Sequence, residues 1–305
     1  MIENVIHRDN WQDYLGQSKQ YRSYLLFFEN EAGRVGLNAV LEEYFYHQRL
    51  QQSIGGQLQP LVHTVFGIQR GFPELVIQGL AHLASSYIDV SDWLDDRLSP
   101  LQAYKDDHLP NILFDLVQAD PRFSGRIDGY DTFDEALKIL LKSKKELLQI
   151  YVAEAAKHPY DIRDLCSLAL CLMQPSSHQT LDYHLNDGQL VESCLAIQTL
   201  KEYQGDVNQL LQLQFLVTLC IYLLQERPTP PPPPSPSCDV ADSSILPWDV
   251  CIDNILSSRD ANAILALRSV TKAQDLLDNS WNKTSSIATG LARFVDEQGV
   301  WIKKK

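Results

Sequence analysis

Thr132-Phe133-Asp134-Glu135-Ala136-Leu137-Lys138-Ile139-Leu140-Leu141-Lys142 decides the fold class. Thr132 followed three residues later by Glu135 has the form of a capping box. The threonine oxygen accepts from one free amide at a helix start, and the glutamate reaches back to another. Beyond it, Phe133, Ala136, Leu137, Leu140, Leu141, Leu147, Leu148, Tyr151 and Val152 fall on one stripe at three-to-four spacing. Lys138, Lys142, Lys145 and Glu146 fall on the other side. The spacing predicts one amphipathic helix ending near His158-Pro159, where proline forbids continuation.

The same periodicity extends in both directions. It predicts helices over Tyr21 to Phe28, Gly36 to Tyr46, Pro60 to Gln69 and Pro73 to Tyr87, the last two broken at Gly71-Phe72-Pro73. It predicts others over 161–173, 188–203, 206–226 and 260–279. No alternating strand pattern or hairpin dipeptide interrupts them. The expected fold is all-α, a multi-helix, bundle-like array. Thr229 to Ser237 holds five consecutive prolines at 230–234, a polyproline II composition. It reads as a semi-rigid spacer, or as a ligand for an SH3 or WW partner at Pro230 and Pro234. The expected organisation is a main domain over 1–227, a proline-rich linker over 228–246 and a C-terminal helical segment over 247–305 packing on the main domain.

The chain has 305 residues with 26 Lys+Arg against 39 Asp+Glu, a formal charge of −13. That acidity argues against nucleic-acid binding, which needs clustered cations to neutralise phosphates. Residues 1–7 have no basic and apolar run, so no signal peptide is expected and the expected location is cytoplasmic. The most apolar run, Phe215 to Leu224, is far shorter than the roughly 20 residues of a membrane span. Six cysteines form no C-x-x-C pair and are expected as reduced thiols. Glycine is scarce, 14 residues, and no G-x-G-x-x-G or Walker A sequence occurs, which excludes a dinucleotide-binding fold. Asp92-Trp93-Leu94-Asp95-Asp96 has the wrong order for an aspartate-rich Mg²⁺ motif and reads as a solvated acidic helix end. Among eight histidines, no two have the i,i+3 or i,i+4 spacing of a helical metal site. His63 lies near Leu61, Val62 and Phe66 on an apolar side, where a hydrogen-bonded core histidine is the commoner reading.

Three stretches together resemble the questin oxidase-like family. The first is Asn10-Trp11-Gln12-Asp13-Tyr14-Leu15-Gly16, then Tyr21, Tyr24, Phe27-Phe28, Gly36 and Val40-Leu41-Glu42-Glu43-Tyr44. The second is Pro60-Leu61-Val62-His63-Thr64-Val65-Phe66-Gly67-Ile68, then Pro73 and Gly79-Leu80-Ala81. The third is Pro247-Trp248-Asp249 with Asp260 and Arg268. The resemblance implies an all-α oxygenase that opens aromatic polyketide rings in Baeyer–Villiger fashion. It implies a histidine-built non-haem iron site and NADPH as electron donor. His63 and His82 are then the candidate metal residues, and His63 and Arg70 the candidate catalytic residues, with Arg70 fixing an anionic or carbonyl group. A small apolar or aromatic substrate would sit against Phe66, Phe72 and Trp93.

The chain departs from the family pattern as a divergent member, short at its N-terminus. Residues 1–9 have no counterpart of the expected histidine-rich helix. Gln59 stands where the first histidine before His63 is expected, and Gln69 or Arg70 where an acid is expected. Ser85 or Ser86 replaces a further histidine, while Asn262 and Leu265 replace a histidine and a lysine. Open iron sites need at least two or three strong protein ligands. Two readings follow: an oxidoreductase of the questin oxidase type, or a helical binding protein that keeps the scaffold without turnover.

Overall fold

The computed structural model describes residues 5–94, 108–125, 130–157, 159–174, 179–229, 245–277 and 283–303. Helix dominates them, as the periodicity predicts. They divide into two compact units interleaved along the chain. One takes Met1–Leu101, Tyr130–Lys157 and Ala196–Val217; the other takes Gln102–Gly129, His158–Leu195 and Thr218–Lys305. Most of the expected linker lies outside the described residues, Pro230 and Pro234 included.

The first unit begins with α1 (Tyr21–Val35) and α2 (Leu37–Tyr44). Tyr24, Phe27, Phe28 and Tyr44 are buried together, with Phe27 and Phe28 meeting Tyr44 edge to face at 5.5 and 5.7 Å. α1 runs past Phe28, where the apolar reading stops, because the next inward position is Glu31 and it is satisfied. Glu31 accepts from Arg34 at 2.6 Å and from the Tyr44 hydroxyl at 3.2 Å. α3 (Gln59–Arg70) and α4 (Pro73–Ser85) form a hairpin broken as expected. Gly71 ends α3 in the left-handed region, its N–H donating to the Gly67 and Ile68 carbonyls. Phe72 is extended before Pro73, which opens α4.

The capping box at Thr132 is formed on both sides. The single helix expected after it is two: α6 (Phe133–Ser143) and α7 (Lys145–Ala156), separated by the non-helical Lys144. A continuous stripe needs an apolar residue between Leu141 and Leu147, and the sequence there is Lys142-Ser143-Lys144-Lys145-Glu146. The break lets each helix turn its own leucines inward.

The second unit contains α5 (His108–Asn111), which continues as a π-helical turn over Ile112–Val117, then α8 (Ile162–Met173) and α9 (Tyr183–Asn186). α10 (Gln189–Gln204) and α11 (Asn208–Leu224) follow, and the division between units falls within each. α12 (Trp248–Ser258), α13 (Ala261–Leu276) and α14 (Lys283–Asp296) complete its helices. Arg227 closes the end of the π-helical turn, donating to the carbonyls of Val117, Gln118 and Asp120. Two short strands that the sequence does not signal, β1 (Thr180–Asp182) and β2 (Val300–Ile302), pair in parallel with Leu181 opposite Trp301. Three residues each are too few for an alternation to register.

The strand corner is closely tied. Asp182 caps α9 by accepting from the amides of His184 and Leu185 at 2.8 and 3.2 Å. Asn186 accepts from the Asp182 amide and donates to the Met173 carbonyl, both at 2.8 Å. Trp301 donates to Asp260 at 2.9 Å, and Lys303 lies 4.1 Å from the Tyr183 ring centroid. Cys166, Cys171, Cys194, Cys220 and Cys251 are free, and burial pushes the Cys166 thiol up to about 12. Cys238 lies outside the described residues. Among the described residues no helix is long and apolar enough to cross a membrane.

Candidate functional site

The α3–α4 hairpin owes its tightness to two glycines. A Cβ on Gly79 would lie 2.2 Å from Thr64 Oγ1 and 2.7 Å from the Thr64 Cα. A Cβ on Gly67 would lie 2.7 Å from the Val76 amide nitrogen. The two backbones therefore touch at two levels. Thr64 bends its hydroxyl back to the Pro60 carbonyl at 2.8 Å, which removes a donor from the dry contact. His63 sits beside Thr64 on α3, and His82 lies three residues beyond Gly79 on α4.

His63 Nε2 is buried and has no hydrogen-bond partner among the described residues. His82 is half-buried, its ring edge-on to Tyr21 at 6.2 Å. Burial holds the His82 imidazole below its usual range; His63 adds to that and Asp134 opposes it. That shift favours the neutral imidazole, a form with one N–H donor and one acceptor nitrogen. Its carbonyl accepts from the hydroxyls of Ser85 and Ser86 at 3.2 and 2.7 Å, which fixes the end of α4.

Asp134, in the first turn of α6, accepts from the Gly56 amide at 3.0 Å. Burial pushes its carboxyl up, against the Gly56 N–H, Lys138 and His82. The turn that offers this amide is unusual. Gly56, Gln57 and Leu58 are all left-handed, with φ of 59°, 55° and 62°. Gly55 packs so closely on the end of α4 that a Cβ there would lie 1.7 Å from the Ser86 carbonyl oxygen. Left-handed bulky residues carry a local cost of about 1 kcal/mol or more each, and such outliers gather at functional sites.

The structure brings together His63 and His82, the two histidines the sequence singles out. Arg70 lies two turns along α3 from His63, its guanidinium 5.7 Å from the Phe66 ring centroid. Phe66 and Phe72 are open to solvent at 38% and 52%, whereas Trp93 is buried. Asp92 pairs with Lys145 at 3.7 Å, and Asp95 and Asp96 lie outside the described residues. In the second unit Asn262 and Leu265 stand on α13, with Leu265 exposed. Asp134 is a site residue the sequence does not single out, and Tyr21 enters the sequence reading only within the first family-like stretch, without a role at the site. Asp134 is visible only as a first-turn acid after a cap, and its amide partner is 78 residues away.

Whether iron fits depends on the donor set. Among the described residues no three His, Cys, Asp or Glu side chains stand together as metal ligands. His63 and His82 offer two imidazoles and Asp134 completes no such set, so the residues present do not fit a three-ligand iron centre. What the cluster offers is an imidazole nitrogen without a hydrogen-bond partner among the described residues, a second imidazole that burial inclines toward its neutral form, and a carboxyl group whose proton affinity burial raises.

A family model described as questin oxidase-like matches residues 2–270. Questin oxidase of Aspergillus terreus is 31% identical over 91 residues, 28% of this chain and 20% of that protein. A Baeyer-Villiger oxidase of an Aspergillus species is 38% identical over 69 residues, 21% of this chain and 17% of that protein. A Baeyer-Villiger oxidase of Pestalotiopsis fici is 34% identical over 77 residues, 23% of this chain and 17% of that protein. The matched stretches thus take in a fifth or less of these relatives' own lengths.

Proposed function

The chain belongs to the questin oxidase-like family, and on that premise we propose that it is an oxidoreductase of the Baeyer–Villiger type acting on a bulky aromatic or apolar ketone. In the overall reaction one atom of dioxygen enters between the carbonyl carbon and its neighbour, giving an ester or lactone. The other atom leaves as water, with two electrons and one proton from the hydride of a reduced nicotinamide such as NADPH and the second proton from solvent. The family match over residues 2–270 carries the reading.

The residues take roles their surroundings suit. His63 Nε2, buried and without a hydrogen-bond partner among the described residues, donates to the ketone oxygen and polarises the carbonyl. His82, inclined toward its neutral form by burial, accepts or returns a proton beside it. Asp134, with its raised affinity for a proton, steadies the His82 ring. No step is routed through iron. The test is incubation of the full chain with aromatic ketones, NADPH and ¹⁸O₂. A product carrying one ¹⁸O supports the reading, and its absence across a panel of such ketones sinks it.

A second reading, a scaffold that binds without turnover, is favoured by the want of a three-ligand set among the described residues. The ¹⁸O₂ incubation separates the two: binding of an aromatic ketone without any labelled product favours the scaffold, and a labelled product favours the oxygenase. A partner at Pro230 and Pro234 is a further proposal, checked by capture with isolated SH3 and WW domains before and after deletion of 229–237.

A further inference from the structure

The chain leaves α11 through a clamp. Glu226 and Arg227 are both left-handed, with φ of 63° and 55°, a backbone that residues other than glycine hold only while their surroundings fix it. The Arg227 amide donates to the Tyr222 carbonyl at 2.9 Å. Its guanidinium Nη1 donates to the carbonyls of Val117, Gln118 and Asp120 at 3.3, 3.0 and 3.1 Å. Two residues on, the Thr229 hydroxyl accepts from the Gln118 side-chain amide at 3.0 Å. Gln118 thus meets Arg227 through its backbone and Thr229 through its side chain. Together these contacts close the end of the π-helical turn, a rare geometry that is frequent at functional places.

Thr229 is exposed and stands between Pro228 and Pro230. Pro230 keeps Thr229 out of helical backbone, and Pro228 has a fixed φ of its own. A protein kinase takes its substrate extended, and a segment already extended loses little entropy on entering the cleft. A hydroxyl followed by proline is what a proline-directed kinase reads. The surroundings then suit the product. Among the described residues Arg227 makes no ion pair, its charge facing three neutral carbonyls. The neighbouring Asp120 carboxylate is already held by Arg122 at 2.7 Å. An arginine pairs with phosphate roughly twice as strongly as with a neutral acceptor.

We infer that Thr229 is a phosphorylation site for a proline-directed protein kinase, and that its phosphate draws Arg227 off the carbonyls of the π-helical turn. In the step, Thr229 Oγ1 attacks the γ-phosphorus of ATP. The bond from that phosphorus to the β,γ-bridging oxygen breaks, ADP leaves, and the hydroxyl proton passes to the kinase. The product carries a charge of about −1.5 to −2 at pH 7. Gln118 still donates, now to a phosphate oxygen, while the three carbonyls lose their shared donor. The turn that buries Ile112, Leu113 and Val117 then opens more often. This device lies within the second unit and stands apart from the oxygenase reading.

The full chain, treated with a cyclin-dependent kinase complex and magnesium ATP, tests it by peptide mapping and hydrogen exchange. Ser99-Pro100 and Ser235-Pro236 have the same form and lie outside the described residues, so the mapping discriminates. The phosphate maps to Thr229, and Thr229→Val, which keeps the shape without the hydroxyl, loses it. Amides of residues 112–120 exchange about 10-fold faster in the phosphoprotein. Unphosphorylated Thr229→Val stays within about twofold of wild type, since it loses one exposed hydrogen bond. Arg227→Gln exchanges as fast without phosphate as the wild-type phosphoprotein, and phosphate adds nothing to it. The wild-type phosphoprotein carries a check that needs no variant. By phosphorus NMR its second ionisation lies about half a unit below that of the phosphorylated Pro228–Pro233 peptide, which lacks Arg227, because the cation favours the dianion. Phosphate only on Ser99 or Ser235, or on no residue, overturns the site. Unchanged exchange over 112–120, or an unshifted ionisation, overturns the release of the clamp.

Discussion

The α3–α4 hairpin and the β1–β2 corner close their polar groups to different degrees. At the strand corner Asp182 Oδ1, Asn186, Trp301 and Lys303 each meet a partner, and hydrogen bonds join residues 173 to 186, although the second oxygen of Asp182 is buried without a hydrogen-bond partner among the described residues. At the hairpin the backbones fit as tightly as two glycines allow, yet among the described residues His63 Nε2 is buried without a hydrogen-bond partner and Arg70 has no anionic partner. A buried polar atom left unmade costs about 1–3 kcal/mol. The two regions differ in degree: the corner leaves one carboxylate oxygen open, the hairpin an imidazole nitrogen and a guanidinium.

Substitutions test that contrast, beginning with the largest effect. Gly79→Val drives methyl groups into the Thr64 backbone and destabilises by about 3 kcal/mol or prevents folding, as read by thermal melting. A melting temperature within a degree of wild type refutes the backbone contact. At the corner, Asn186→Ala strands the Asp182 amide and the Met173 carbonyl and costs about 2 kcal/mol. A loss under about 0.5 kcal/mol means that water replaces the side chain and that the corner is less closed than described.

The corner also makes a pH prediction. Burial raises the Asp187 carboxyl from 3.8 to about 6. Its contribution is present below the unfolded value and lost as pH rises through 6. Burial, helped by Lys303, lowers His184 from 6.5 to about 4. Its contribution is present above 6.5 and lost as pH falls through 4. The two slopes oppose each other over one window, so wild type shows little change from this pair between pH 4 and 6.5. Asp187→Asn leaves the histidine slope, and its melting temperature falls on acidification relative to wild type. His184→Gln leaves the aspartate slope and reverses the sign. Parallel pH profiles for all three proteins would remove the pair from the account.

The smallest stability effect belongs to His63. Replacing it with leucine removes a buried polar atom that has no hydrogen-bond partner among the described residues, so stability stays the same or rises by up to about 1 kcal/mol. Ligand binding is lost all the same. A fall of more than about 1 kcal/mol would mean that the imidazole has a structural partner and that the hairpin resembles the corner after all.

Local signals made most of the fold legible. The Thr132 box, the Gly71-Phe72-Pro73 break and the α8 and α10 stripes all act within a few residues, and each appears within a residue or two of expectation, while α13 begins one residue late and ends three early. What failed depended on tertiary partners. α1 outlasts its apolar reading because Glu31 finds Arg34 and Tyr44; the helix after Thr132 breaks where three lysines interrupt the leucines. The site divides the same way. His63 and His82 are visible because each lies in a stretch that resembles a family motif. Asp134 is not, because an amide 78 residues away gives it its place. The left-handed turn at 56–58 hides for another reason: Gln57 and Leu58 carry none of the glycine or asparagine signature of that conformation.

Leu58 carries a consequence for how far this sequence can drift. Its backbone asks for glycine, at φ 62°, while its side chain, 1% exposed, asks for leucine. Glycine would relieve about 1 kcal/mol of backbone strain and leave a cavity costing about 2–5 kcal/mol. Asparagine accepts the backbone and buries an amide; valine or isoleucine fills the space and worsens the backbone. In a saturation library position 58 should therefore be among the least tolerant of the first unit, although it touches no ligand. The frame that holds Gly56 against Asp134 is locked by a conflict no single substitution resolves, and the neighbouring chemistry can change only while that residue stays fixed.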